Sequence, residues 1–182
     1  MSEYDFSNVD PEAFDWLDYA EEFFKHDGDF DYGRVRTIPA RNGKSYVNIE
    51  DEFRQLEEMY EAAPDKVAEP LMTLEKNGEV RGFYIERVEG EHITDYFSEG
   101  KGDIERHLEI LDKVEEFVNT MGEEGLVHGD LSNNILYDGE RIKVIDPVGQ
   151  PEEQEDFEIF RELDEGSLQV LENRSPYLWS QS

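Results

Sequence analysis

The chain has no cysteine, which excludes disulfides, a thiolate nucleophile and any zinc site built on sulfur. Positive charge is scarce as well: 17 Lys and Arg stand against 47 Asp and Glu, a formal net charge of −30. No Lys/Arg cluster offers the electrostatic footprint that a phosphate backbone requires, so no nucleic acid is expected as a direct partner. No apolar run approaches the roughly 20 residues of a membrane span, and no membrane partner is expected. The opening MSEYDFSNVDPE has neither the basic region nor the apolar core of a secretory leader. The protein is therefore expected to be soluble and cytoplasmic, in a host cytoplasm if its source is viral. Its four histidines, His26, His92, His107 and His128, lack metal-ligand spacing.

What is present is a foldable core. Of 182 residues, 37% are hydrophobic and 12% aromatic, too many for a disordered chain despite the charge. Acidic residues run from end to end and form no single tail, which describes a solvated, self-repelling shell. Salt-in halophiles carry such surfaces, and the charge implies a haloarchaeon or one of its viruses. Folding is accordingly expected to need high salt, because the screening length grows from about 3 Å at 1 M to about 10 Å at 0.1 M. Circular dichroism from dilute to molar KCl tests this, and a cooperative fold in dilute buffer contradicts it.

Asp10-Pro11-Glu12 reads as a helix start, with Pro at the first helical position and acids facing the dipole. Phe14, Leu17, Ala20 and Phe24 follow at helical spacing, and an end is expected near His26-Asp27-Gly28. Residues 32–40 and 44–49 read as strands joined at Asn42-Gly43. Residues 50–63 read as a helix stopped by Pro64-Asp65, and residues 71–74 and 80–86 as a hairpin around Asn77-Gly78. Asp103 caps a long helix with Ile104, Leu108, Leu111, Val114, Phe117, Val118 and Met121 inward and Gly122 at its end. Residues 151–173 form a last helical stretch bearing Phe157, Phe160, Leu163, Leu168 and Leu171, with Gly166 as an interruption. Pro176-Tyr177-Leu178-Trp179 is an apolar tail expected to dock.

The densest signal is residues 126–149, LVHGDLSNNILYDGERIKVIDPVG. His128-Gly129-Asp130 and Asn134 fall in a tight loop, and Asp146 ends the next apolar run. Leu126-Val127, Ile135-Leu136, Ile142 and Val144-Ile145 read as short buried strands, with Asp138-Gly139 a hairpin turn signal. Two carboxylates and an amide on the ends of short strands can bring a hydroxyl and a metal-bound triphosphate together. Asp and Asn also turn hairpins by bonding their own backbone. The ordered series His-Gly-Asp, Asn-Ile-Leu, turn, Ile-Asp-Pro-x-Gly favours the chemical reading.

This series resembles the catalytic core of protein-kinase-like phosphotransferases. Its His-Gly-Asp form is similar to the atypical small branches: RIO and related minimal kinases, aminoglycoside and choline kinases, and lipopolysaccharide and capsule kinases. His-Gly-Asp-Leu-Ser is most similar to the RIO kinases. The resemblance implies an α+β, minimal two-lobed fold, with a small antiparallel N-lobe sheet and a reduced helical C-lobe, dividing into 1–88 and 89–182. It implies ATP and Mg²⁺ as cofactors. Carried over by position, Asp130 orients the hydroxyl or acts as base, with His128 beside it as a brace, and Asn134 and Asp146 bind the metal. Backbone groups near Glu86–Val88 would hold the adenine, which names Glu86 and Val88.

The phosphate grip departs from the family pattern. Arg36, or Lys44 on the next strand, would replace the phosphate-pairing lysine, with Glu52 its best-matched partner. The stretch Gly28-Asp29-Phe30-Asp31-Tyr32-Gly33 is no G-x-G-x-x-G and fits an ordinary turn better than a nucleotide loop. Asp130 and Asn134 are four positions apart where the pattern places them five apart. Either Asn134 reaches the metal through a tighter turn, or metal binding is impaired. Only 36 residues follow Asp146, so the acceptor platform is either small or supplied by a protein partner. The expected activity is transfer of the ATP γ-phosphate to a protein Ser/Thr hydroxyl by a minimal atypical kinase. A small-molecule alcohol kinase, or a pseudokinase that binds nucleotide or protein, remains the alternative.

Overall fold

The computed structural model describes residues 24–25, 34–37, 49–76, 79–86, 88–148 and 154–178. In the first half, strands β1 (Phe24–Lys25), β2 (Arg34–Thr37), β3 (Pro70–Lys76) and β4 (Glu79–Ile85) form an antiparallel sheet in the order β1-β2-β4-β3. Helix α1 (Ile49–Ala62) lies between β2 and β3 in the chain. Glu50, Asp51 and Glu52 occupy its first turn, where the helix dipole favours acids. Phe53, Leu56, Met59 and Ala63 recur at three- and four-residue intervals and are buried. The Phe53 ring meets Phe83 of β4 at a centroid separation of 5.4 Å, which seats the helix on the sheet.

The second half contains β5 (Glu91–His92), α2 (Ile93–Ser98), α3 (Ile104–Glu124), β6 (Ile135–Tyr137), β7 (Ile142–Val144) and α4 (Gln154–Arg174). Strands β5-β6-β7 form a small antiparallel sheet, and the β6–β7 hairpin closes at Tyr137↔Ile142. Asp138 shapes that turn by accepting the Glu140 and Arg141 backbone N–H groups at 2.9 and 2.7 Å. Asp103 caps α3 by accepting the Arg106 N–H at 2.9 Å. The tail docks as expected. The Tyr177 hydroxyl donates to the Gly100 and Gly102 carbonyls at 3.0 and 3.1 Å, and Ser175 pairs with the buried His107 ring at 2.7 Å.

The connection after α1 joins the two halves. Residues 63–69 run along the outer edge of β7: Val144 N–H donates to Lys66 O at 2.7 Å, and Ala68 N–H donates to Val144 O at 2.9 Å. Val67 forms a parallel bridge with Val144. The resulting α+β architecture is the expected one, a small sheet carrying one helix followed by a helical half. Among the described residues no helix is long and apolar enough to cross a membrane.

Several local expectations are corrected. Phe24 belongs to β1, paired with Val35, and is not helical; the rest of the helix expected from residue 10 lies outside the described residues. The long helix passes Gly122 and ends at Gly125, which adopts φ 71°. Leu126 N–H donates to Met121 O at 2.8 Å and Gly125 N–H to Gly122 O at 3.3 Å, the paired closure that a left-handed glycine allows. Gly166 interrupts nothing, since α4 is continuous through it. Tertiary packing overrides a glycine penalty of only about 1 kcal/mol. Leu108 and Leu163 are 45% and 51% exposed, while His107, Ile110 and Asp164 take the inward positions beside them. Strand β2 covers 34–37 of the expected 32–40, whose other residues lie outside the described ones, as does its expected hairpin partner apart from Ile49. Ile49 itself opens α1.

Candidate functional site

Leu126-Val127 is not a strand, because its backbone groups bond elsewhere. Leu126 N–H closes α3, and Val127 O accepts the buried side-chain amide of Gln55 from α1. The chain then enters His128-Gly129-Asp130. Both backbone N–H groups that open this loop are held by one carboxylate: Asp164 of α4 accepts from His128 N at 2.5 Å and Gly129 N at 2.9 Å. Gly129 has φ 85°, and a Cβ there would lie 3.2 Å from Val148 and 3.4 Å from Phe160. The position therefore needs glycine both for its conformation and for the close approach of the following loop.

After Asp130 a single 3-10 turn, Leu131–Asn133, carries the chain to Asn134. This tighter winding accommodates the spacing of four. The Asn134 amide Nδ2 donates to Asp130 O at 2.8 Å, which leaves its Oδ1 as the atom able to face a cation. Asn133 Nδ2 donates to Asp130 Oδ1 at 3.0 Å, so the exposed carboxylate is oriented by a neighbouring amide.

Asp146 follows β7 on a second loop. It has φ 68°, the one non-glycine residue of positive φ among the described residues. Asp tolerates that region better than most side chains, and strain of this kind concentrates at functional positions. Three hydrogen bonds lace the two loops together. Ile145 N–H donates to Asn134 O at 2.9 Å, Val148 N–H to His128 O at 3.0 Å, and His128 Nε2 to Ile145 O at 2.9 Å. The carbonyl can only accept, so His128 carries its proton on Nε2 and leaves Nδ1 to take the Asp130 N–H at 3.3 Å. The ring is buried and joins the loop of Asp130 to the loop of Asp146.

The remaining candidates lie further out. Glu52 is wholly buried on α1. Arg36 sits on β2 opposite Phe83 of β4, the residue on which Phe53 packs; Lys44 lies outside the described residues. Glu86 directly follows β4, its N–H donating to Glu69 O at 2.8 Å and its carboxylate pairing with Lys143 at 2.8 Å. Val88 packs against the core. The segment 28–33 lies outside the described residues.

A RIO-domain profile matches residues 15–161. The chain belongs to the RIO domain family. Comparison with curated proteins yields no match. RIO domains are an atypical protein-kinase-like, ATP-binding phosphotransferase family, so this chain is of kinase type. The donor set fits the Mg²⁺ that kinase-type transfer employs. Mg²⁺ takes one or two protein oxygens plus phosphate oxygens, and no cluster of three acidic or imidazole groups exists among the described residues to form a closed cage.

Two residues that hold the loop of Asp130 lie outside the candidates read from the sequence: Asp164 and Gln55. Asp164 was the more legible. It lies four residues after Phe160, a helical interval that turns it inward, while Leu163 beside it is exposed. A carboxylate at an inward position signals buried donors for it to satisfy.

Burial pushes the His128 imidazole down from 6.5 to about 4, against the opposing Ile145 hydrogen bond. A base lowered on folding stabilises fully above its unfolded value, so this contribution is present above pH 6.5 and is lost as pH falls toward 4. Its size is on the order of 3 kcal/mol. Burial raises the Asp164 carboxyl from 3.8 to about 6, against its two backbone hydrogen bonds. That contribution has the opposite sign: it is complete below pH 3.8 and lost as pH rises through 6. We expect the His128 ring signal to titrate near pH 4 by NMR, and the stability advantage of wild type over Asp164→Asn to shrink from pH 4 to pH 7. A His128 midpoint at its ordinary value contradicts the buried, Nε2-protonated assignment.

Proposed function

We propose that this RIO domain transfers the γ-phosphate of ATP to a Ser or Thr hydroxyl of a protein, with Mg²⁺ bound by Asp146 and Asn134. The observation that carries the reading is the lacing of the Asp130 and Asp146 loops by three hydrogen bonds, with the Asp130 carboxylate left exposed. An exposed carboxylate fixed by an amide suits an incoming protein hydroxyl. When bound, Mg²⁺ neutralises the charge that develops on the phosphate oxygens.

Asp130 aligns the acceptor O–H and takes its proton as the hydroxyl oxygen bonds to the γ-phosphorus. The bond from that phosphorus to the bridging oxygen breaks, and ADP carries away the electron pair. His128 and Asp164 hold the loop and move no proton. Backbone groups of Glu86 and Val88 receive the adenine, and Glu52 is the acid assigned as partner to the phosphate-pairing cation, Arg36 or Lys44.

The test is γ-phosphate transfer in molar KCl, offering protein acceptors and small alcohols side by side. Transfer to protein supports the proposal, and transfer to small alcohols alone replaces it with a small-molecule kinase. A protein that binds nucleotide and transfers to nothing, itself included, is a binding module.

A further inference from the structure

Lys143 has no part in the roles assigned above, yet its ammonium meets two separate segments of chain. It lies on β7, three residues before Asp146, with its side chain only 13% exposed. Its Nζ donates to Val67 O at 2.8 Å and Pro64 O at 3.2 Å, and pairs with Glu86 Oε1 at 2.8 Å. The two carbonyls take hydrogen bonds from the ammonium, and the Glu86 carboxylate balances its charge as an ion pair. The two carbonyls belong to the connection after α1, which the backbone of Val144 already holds through Lys66 and Ala68. That part of the contact is duplicated. The Glu86 pair ties the side chain of the segment after β4 to the strand that delivers Asp146.

We propose that Lys143 is a positioning residue for the nucleotide: it fixes the Glu86–Val88 segment, and so the adenine, at a set distance from the Asp146 loop. The inference rests on the reading of Glu86 and Val88 as the adenine-holding segment. Two physical effects act together. A β-strand residue transmits its position along a stiff backbone, so holding Glu86 on Lys143 refers the base end of the ligand to the metal end. The ammonium also neutralises a half-buried carboxylate that would otherwise stand beside an anionic ligand in a chain of net charge −30.

The experiment is calorimetric titration of ATP·Mg²⁺ and, separately, adenosine into the full chain in molar KCl. Wild type is compared with Lys143→Met, Glu86→Gln, the double variant and Lys143→Arg. Lys143→Met keeps much of the packing stem and loses the charge. Both ligands should weaken by about tenfold, because the base is what shifts. The double variant should be no weaker than Lys143→Met, as expected for two residues that act through one contact. Lys143→Arg should recover part of the loss. Adenosine affinity unchanged in Lys143→Met overturns the inference, and so does weakening of ATP alone, which marks a through-space charge effect. Losses that add in the double variant overturn it too. Should Lys143→Met fail to fold, Glu86→Gln removes the same pair from its other end and must weaken adenosine equally. A wild type that binds neither ligand removes the adenine reading itself, an outcome distinct from a wild type that binds and a variant that binds as well.

Discussion

Asp130→Asn is expected to lower phosphoryl transfer by about 10²–10⁴-fold, the range that a general base contributes, and to leave ATP·Mg²⁺ binding nearly intact. The carboxylate is exposed and oriented from behind by Asn133 at 3.0 Å. An asparagine in its place can still meet that amide through its own oxygen, so the loop should keep its shape while the base is lost. Single-turnover transfer with saturating nucleotide reads the loss directly, and calorimetry reads the binding. A variant as active as wild type removes Asp130 from the chemistry; a variant that also stops binding ATP places it against the metal instead.

Asp146→Ala should weaken ATP·Mg²⁺ by on the order of a hundredfold and erase the dependence of binding on Mg²⁺, since it removes one of the two protein oxygens proposed to hold the metal. The backbone supplies an independent arm. Asp146 is held at φ 68°, so Asp146→Gly should relieve about 1 kcal/mol of strain and raise the melting temperature, with metal-dependent binding lost as in Asp146→Ala. A protein made more stable and less able to bind would show that the strain serves the site. Mg²⁺-dependent affinity unaltered in both variants would falsify the assignment.

Much of this was legible in the amino-acid order because it depended on local chemistry. The second hairpin, the capped helix at Asp103 and the series from His128 to Asp146 are written in turn residues, caps and short apolar runs. The spacing of Asp130 and Asn134 left two outcomes open. The structure shows how the chain closes that spacing: a 3-10 turn, with the Asn134 amide on the Asp130 carbonyl at 2.8 Å. What stayed hidden was nonlocal. The ends of α3 and β1 depended on bonds from Leu126 back to Met121 and from Phe24 across to Val35, neither of which periodicity encodes. The supports of the loop come from Gln55 and Asp164, 72 and 36 residues from their partners. In so acidic a sequence one carboxylate in a helix carries little signal, and only its inward interval set Asp164 apart.

The run of chain along the edge of β7 bears on how the protein can be taken apart. The proposed division at residue 88 passes between the two halves, but residues 66–68 complete the sheet of the second half by bonding to Val144 on both sides of its peptide. A polypeptide cut at that division would leave one fragment with a bare strand edge and the other with the piece that covers it. The fragments would then be cognate halves, each carrying the other's missing border. Mixed together they would be expected to reassemble along that edge, with residues 66–68 paired again to Val144.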